Sequence, residues 1–133
     1  MKWLFEEDLF VQARRLLRAA IENGESLIAP PLLPSEVTNG VRQQLRRGFV
    51  GIREAPGLLA QFLSVPIELS VPDRLYERAL ALATELGLPA TYDAQYVVLS
   101  EDLGATLWTA DRRLVNATAA QRSFVRWIGD YPG

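Results

Sequence analysis

Histidine and cysteine are both missing from the 133-residue chain. Without cysteine there are no disulfides, no thiolate nucleophile and no sulfur-bound zinc. Without histidine there is no Ser-His-Asp triad and no imidazole metal site, and the usual acid/base near neutral pH is absent. Any unaided catalysis falls to Asp, Glu, Arg, Lys, Tyr, Ser and Thr. A metal site must be built from oxygen, which favours Mg2+ or Mn2+ over zinc or copper. Lysine is nearly absent too: of 14 basic residues only Lys2 is one. Arginine suits bidentate phosphate contacts, although an arginine-rich codon bias explains the skew equally well. The net charge of −2 gives the chain as a whole no basic footprint for nucleic acid. No apolar run is long enough to span a bilayer, and the opening MKWLFEED turns acidic at Glu6 before a signal-peptide core could develop. A cytoplasmic location is the resulting expectation.

What is present is ordinary for a folded domain. The hydrophobic fraction is 49% and the charged fraction 23%, enough apolar surface to offset chain entropy. The length suits one domain over residues 1–133. EDLFVQARRLLRAAIENG carries an apolar stripe at Phe10, Ala13, Leu16, Leu17, Ala20 and Ile21, with Gly24 placed to end it. SLIAPP reads as a short buried strand from Ser26. Pro34 then suits the first turn of a helix continued by Val37, Val41 and Leu45 to Gly48. VGIREAPGLLAQFLS is a further helical stretch in which Pro56 and Gly57 predict a break. VPIELS reads as a strand, PDRLYERALALATELG as a helix stopped by Gly87, and YDAQYVVLSEDLG as another helix. A strand from Ala105 to Thr109, a short helix in DRRLVNA and a last strand centred on Val125 and Trp127 complete the chain. Short apolar strands alternating with amphipathic helices predict an α/β domain with a mainly parallel sheet and helices on both faces.

Open α/β sheets place their sites beyond the carboxyl ends of the strands. Asp111 follows the strand ATLWT, where it is either an N-cap or a site acid. Glu36 lies in the first turn of the helix after SLIAPP, where it either complements the helix dipole or faces a site. Asp93 opens YDAQYVV, again as a cap or as a site acid. All three sit at helix starts that this architecture can gather at one sheet edge. Carboxylates so gathered repel one another and need a cation to stay ionised together. With no His or Cys, that cation would be Mg2+ or Mn2+, which lowers the pKa of a bound water and stabilises in-line displacement at phosphorus.

PSEVTN over 34–39, ATYDAQYVVLSEDLGATLWTADRRL over 90–114 and the closing VRWIGDY together resemble the PIN domain, more narrowly the VapC-type toxin ribonucleases of toxin–antitoxin pairs. The resemblance covers essentially the whole chain, and TYDAQY with TADRRL is its more specific pair. It implies a three-layer α/β/α domain with a mainly parallel central sheet. It also implies Mg2+- or Mn2+-dependent endonucleolytic cleavage of RNA, a homodimer, and silencing by a small antitoxin. It assigns metal-ligand and catalytic roles to Glu36, Asp93 and Asp111, with Thr109 as the hydroxyl that supports the site.

The chain departs from that pattern at its start. PIN chains open with a strand of the type VVVDASV, central in the sheet and carrying the first metal-binding Asp, and here KWLFEED is not preceded by it. Glu6, Glu7 and Asp8 lie beyond that junction and do not inherit its role. A start codon placed downstream, a shortened sequence or an inactive relative would each account for this. The expectation is a domain less stable than its relatives, with weaker metal binding and low or absent activity. Arg42, Arg46 and Arg47 on the Glu36 helix, and Arg112 and Arg113 after Asp111, are either contacts for RNA phosphate or an acidic antitoxin tail, or a solvated face. Trp3, Trp108 and Trp127 read as core or interface residues, and Tyr92 and Tyr96 as packing. The competing readings are a non-catalytic PIN-like module that binds RNA or protein, and an unrelated phosphotransferase or receiver-type domain. The latter wants an acid pair ending the first strand, which this chain lacks.

Overall fold

The computed structural model describes residues 15, 16 and 18–132. Trp3, the acids at 6–8 and the first part of the expected amphipathic helix lie outside the described residues. A helical segment over 18–22 (α1) leads through Gly24 into β1 (Leu27–Ala29). Then follow α2 (Leu33–Arg46), α3 (Ala55–Leu63), β2 (Ile67–Leu69), α4 (Leu75–Leu86) and α5 (Tyr92–Leu103). The described chain closes with β3 (Leu107–Thr109), α6 (Arg112–Thr118), β4 (Val125–Trp127) and a 3-10 turn at Ile128–Asp130. This is the expected α/β alternation. No described helix is long and apolar enough to cross a membrane.

Two expectations shift by a few residues, each for a local reason. Pro56 does not break a helix; it begins one. The backbone turns over Gly51–Glu54, and α3 then starts at Ala55 with Pro56 in its first turn, where a missing N–H costs no intrahelical bond. The strand expected from Ala105 begins only at Leu107. Its first residues are used to close α5: Gly104 takes a left-handed φ of 62° and the Ala105 N–H bonds the Ser100 carbonyl, a glycine-dependent helix stop. Gly87 closes α4 in the same way, with the Leu88 N–H on Ala83 O.

The strands pair in parallel, β1 with β2 in the register Leu27 to Ile67, and β3 with β4 in the register Leu107 to Val125. Among the described residues they form two separate two-stranded sheets, β1 with β2 and β3 with β4. The core is divided in the same way. Ala29, Leu33, Val37 and Phe62 are buried together around β1, α2 and α3. Leu75, Ala79, Leu82, Ala94, Val97, Leu114 and Val125 form a larger cluster around α4, α5, α6 and β4. Helix α5 spans the divide: Ala94 and Val97 belong to the larger cluster, while Tyr96 packs against the smaller one. The order of apolar positions explains this, because residues 94, 97 and 98 share one helix face and 96 lies on another.

Candidate active site

Between the two sheets lies a cavity of about 710 Å3. All three residues of β1 and all three of β3 line it, as do Glu36, Asp93, Thr109 and Asp111. The three acids singled out in the sequence therefore reach one cavity from three elements. Glu36 comes from the first turn of α2, set by the Pro30–Leu32 turn after β1 and by Pro34 in the first turn. Asp93 comes from the first turn of α5. Asp111 comes from the junction between β3 and α6.

Each acid is held differently. Asp111 is the N-cap of α6, its Oδ1 accepting from the Arg113 N–H at 2.9 Å and, more weakly, from the Leu114 N–H at 3.4 Å. Its own N–H donates to Thr109 Oγ1 at 3.1 Å. Capping and cavity lining thus coexist in Asp111. Asp93 is not the cap expected of it. Thr91 occupies that position without a side-chain bond, and Asp93 stands inside the first turn, where the helix dipole favours a negative charge. Glu36 also sits in a first turn, and Tyr96 Oη donates to its Oε1 at 2.5 Å.

Tyr96 is the site residue that sequence reasoning missed, because an aromatic inside an apolar helix reads as packing. It does pack, but its hydroxyl also bridges α5 to α2. Burial first, then the bond to Glu36 and the charges of Glu36 and Asp93, raise its pKa well above the ordinary tyrosine range. Tyr92, also read as packing, is exposed. Arg42, Arg46, Arg47 and Arg113 are exposed and none lines the cavity. Arg112 stacks over the Trp127 ring at 3.6 Å from its centroid. Arg126 lies 4.5 Å over the ring of Trp108, itself a cavity residue in edge contact with Tyr131. Cation–π pairs of this kind hold a guanidinium in place without neutralising it.

Tested against a divalent cation, the donors are of the right kind: carboxylates and a hydroxyl, all hard oxygens. Their spacing is open. Among the described residues no three acidic side chains stand together as a group that could hold one ion.

The family model of the PIN domain matches residues 1–120. The chain belongs to the PIN domain family. Among relatives of this PIN chain, Ribonuclease VapC9 of Mycobacterium tuberculosis is 33% identical over 110 residues, covering 83% of this chain and 80% of that protein. Ribonuclease VapC3 of Pyrobaculum aerophilum is also 33% identical over 110 residues, covering 80% and 83%. Ribonuclease VapC12 of Mycobacterium tuberculosis is 31% identical over 105 residues, covering 79% and 74%.

Proposed function

We propose that this PIN domain is an endoribonuclease of the VapC type, the toxin of a toxin–antitoxin pair, and that it requires Mg2+ or Mn2+. The observation that carries this reading is that Glu36, Asp93 and Asp111, from three separate elements, line one cavity. In this reading those carboxylates are the metal-holding and catalytic acids. A bound divalent cation there would supply an activated water and neutralise charge developing at phosphorus. The protein's own part is positional. Tyr96 fixes one oxygen of Glu36, and the α6 N-terminus with Thr109 fixes Asp111. RNA and a cognate antitoxin are the partners, with Arg42, Arg46, Arg112 and Arg113 as candidate contacts to phosphate or to an acidic antitoxin tail. Exposed Tyr76 and Leu80, four residues apart on α4, suit the contact face of a homodimer. The proposed setting is the cytoplasm.

The test is cleavage of structured RNA by the chain with Mn2+ or with EDTA, beside Asp93→Asn. Cutting that depends on the metal and vanishes in the variant supports the reading. A second reading, a PIN-like module that binds RNA or protein without cleaving it, is favoured by the open spacing of the acids. RNA binding without cleavage under both conditions would select it.

A further inference from the structure

Between Glu36 and Glu54 the chain has no acidic residue but has arginines at 42, 46, 47 and 53, in a molecule whose net charge is −2. The same stretch holds Phe49 and Ile52, 72% and 81% exposed, the two most exposed large apolar side chains among the described residues. Single apolar residues on a surface are ordinary. Here two stand close together in the chain, and the backbone holds both in place. Gly48, with a φ of 76°, ends α2: its N–H donates to the Leu45 carbonyl, and the Phe49 N–H donates to that of Gln44. In such a helix stop the residue after the glycine often packs an apolar side chain back on its own helix. Its partner here would be the polar Gln44, and the Phe49 ring stays in solvent. Ile52 is carried by the turn in which the Glu54 and Ala55 N–H groups both donate to the Gly51 carbonyl. Among the described residues Arg42, Arg47 and Arg53 pair with no acid, and Arg46 reaches only Gln43 Oε1 at 3.4 Å.

Helix geometry ties this patch to Glu36. Arg47 keeps helical backbone angles, so a turn of about 100° per residue brings it within about 20° of Glu36 around α2. Along the axis the two are about 16 Å apart, the length of about five stacked nucleotides. We propose that Phe49 is a stacking platform for an unpaired RNA base, with Ile52 beside it, and that Arg47 and Arg53 hold the neighbouring phosphates. The platform rests on the reading of RNA as the substrate and extends it from the acids to the far end of α2. An acidic peptide would offer charge to the arginines but no flat face to the ring, whereas unpaired RNA offers both. Because every base has such a face, the patch selects single strands and not a sequence. Bases sealed in a duplex cannot reach it.

The probe is a fluorescein-labelled RNA of AC repeats, single-stranded or paired with GU repeats, titrated with the full chain in EDTA and read by anisotropy. Saturable binding with preference for the single strand is expected. Phe49→Ala weakens the single strand by about 5- to 100-fold, the loss of one stacked base, and the duplex by less than about twofold. Phe49→Trp keeps single-strand affinity within about twofold of the wild type. Arg47→Gln and Arg53→Gln each lower the slope of log affinity against log salt by about 0.7. Arg74→Gln, exposed at the start of α4, leaves the slope unchanged. Absence of saturable binding overturns the proposal. So does an alanine variant that binds like the wild type, or that loses single strand and duplex equally. Phosphatidylglycerol vesicles or a glutamate-leucine peptide bound through Phe49, with RNA binding indifferent to it, would also overturn it and give the patch to a membrane or a protein. Adding Mn2+ separates this result from the ribonuclease reading. Phe49-dependent binding without cleavage leaves the platform standing, and cleavage with binding indifferent to Phe49 removes the platform alone.

Discussion

Tyr96 and Glu36, 60 residues apart in the chain, are joined by a hydrogen bond of 2.5 Å from the phenol to the carboxylate. The bond links α5, which belongs to the larger core, to α2, which belongs to the smaller one. Tyr96→Phe keeps the ring packing and removes only the donor. A hydrogen bond to a charged group in a half-buried setting contributes about 1–2 kcal/mol, so urea unfolding at neutral pH should show a loss of that size.

The same residue gives the fold an alkaline limit. Its folded pKa is raised well above the ordinary tyrosine range, by burial first and then by the bond to Glu36. The native state therefore holds a proton that the unfolded chain releases. The stabilisation is fully present below about pH 10 and is lost as pH rises above it. Wild-type stability should fall between neutral pH and pH 11, and Tyr96→Phe should flatten that limb. An equal alkaline slope in both proteins would assign the effect to other groups.

Asp111 separates two roles that the sequence left entangled. Its carboxylate caps α6 through the Arg113 and Leu114 N–H groups, and it also faces the cavity. Asn caps as well as Asp, whereas Ala costs about 1 kcal/mol. Asp111→Ala should lower stability by about that amount and Asp111→Asn should leave it nearly unchanged. If Asp111 also serves cleavage, both variants lose it. Cleavage retained by Asp111→Asn would leave capping as its role.

Much of this was legible in the sequence because it is local. Helix stops at Gly87 and Gly104, the Asp111 cap and the first-turn places of Glu36 and Asp93 follow from residue chemistry within a few positions. What was not legible depends on tertiary neighbours. Nothing near Tyr96 announces Glu36 as its partner. Arg112 reads as a free phosphate ligand until the strand after α6 returns Trp127 beneath it. Pro56 signals a discontinuity, but only the turn over Gly51–Glu54 decides that it starts a helix.

Arg78 and Asp102 tie α4 to α5 through paired bonds of 2.6 and 2.9 Å. The Arg78 guanidinium, chiefly through these bonds, holds the Asp102 carboxyl below the ordinary aspartate range. A depressed carboxylate pKa contributes stability that is present above its unfolded value and is lost as pH falls through the folded one. Because both side chains are about one-third exposed, solvent screening keeps the effect small. The prediction is a shallow acid limb below about pH 4 that Asp102→Asn removes. Raising the salt concentration should leave most of the limb in place, since the contact is direct and bidentate. A limb unchanged in Asp102→Asn would count against the pair.

Gly129 gives the sharpest steric prediction. It sits in the turn after β4, and a Cβ there would overlap the six-membered ring of Trp127. That ring cannot move freely, because the Arg112 guanidinium lies over it at 3.6 Å. Gly129→Ala must therefore displace the indole, separate it from Arg112, or shift the turn that carries buried Ile128. Overpacking of this kind costs about 1–3 kcal/mol. Thermal unfolding should show the loss, with a change in tryptophan fluorescence in the folded state. Trp127→Leu removes the colliding ring, so adding Gly129→Ala to it should cost much less than in the wild type. Equal costs in both backgrounds would mean that the turn itself, not the ring, requires glycine.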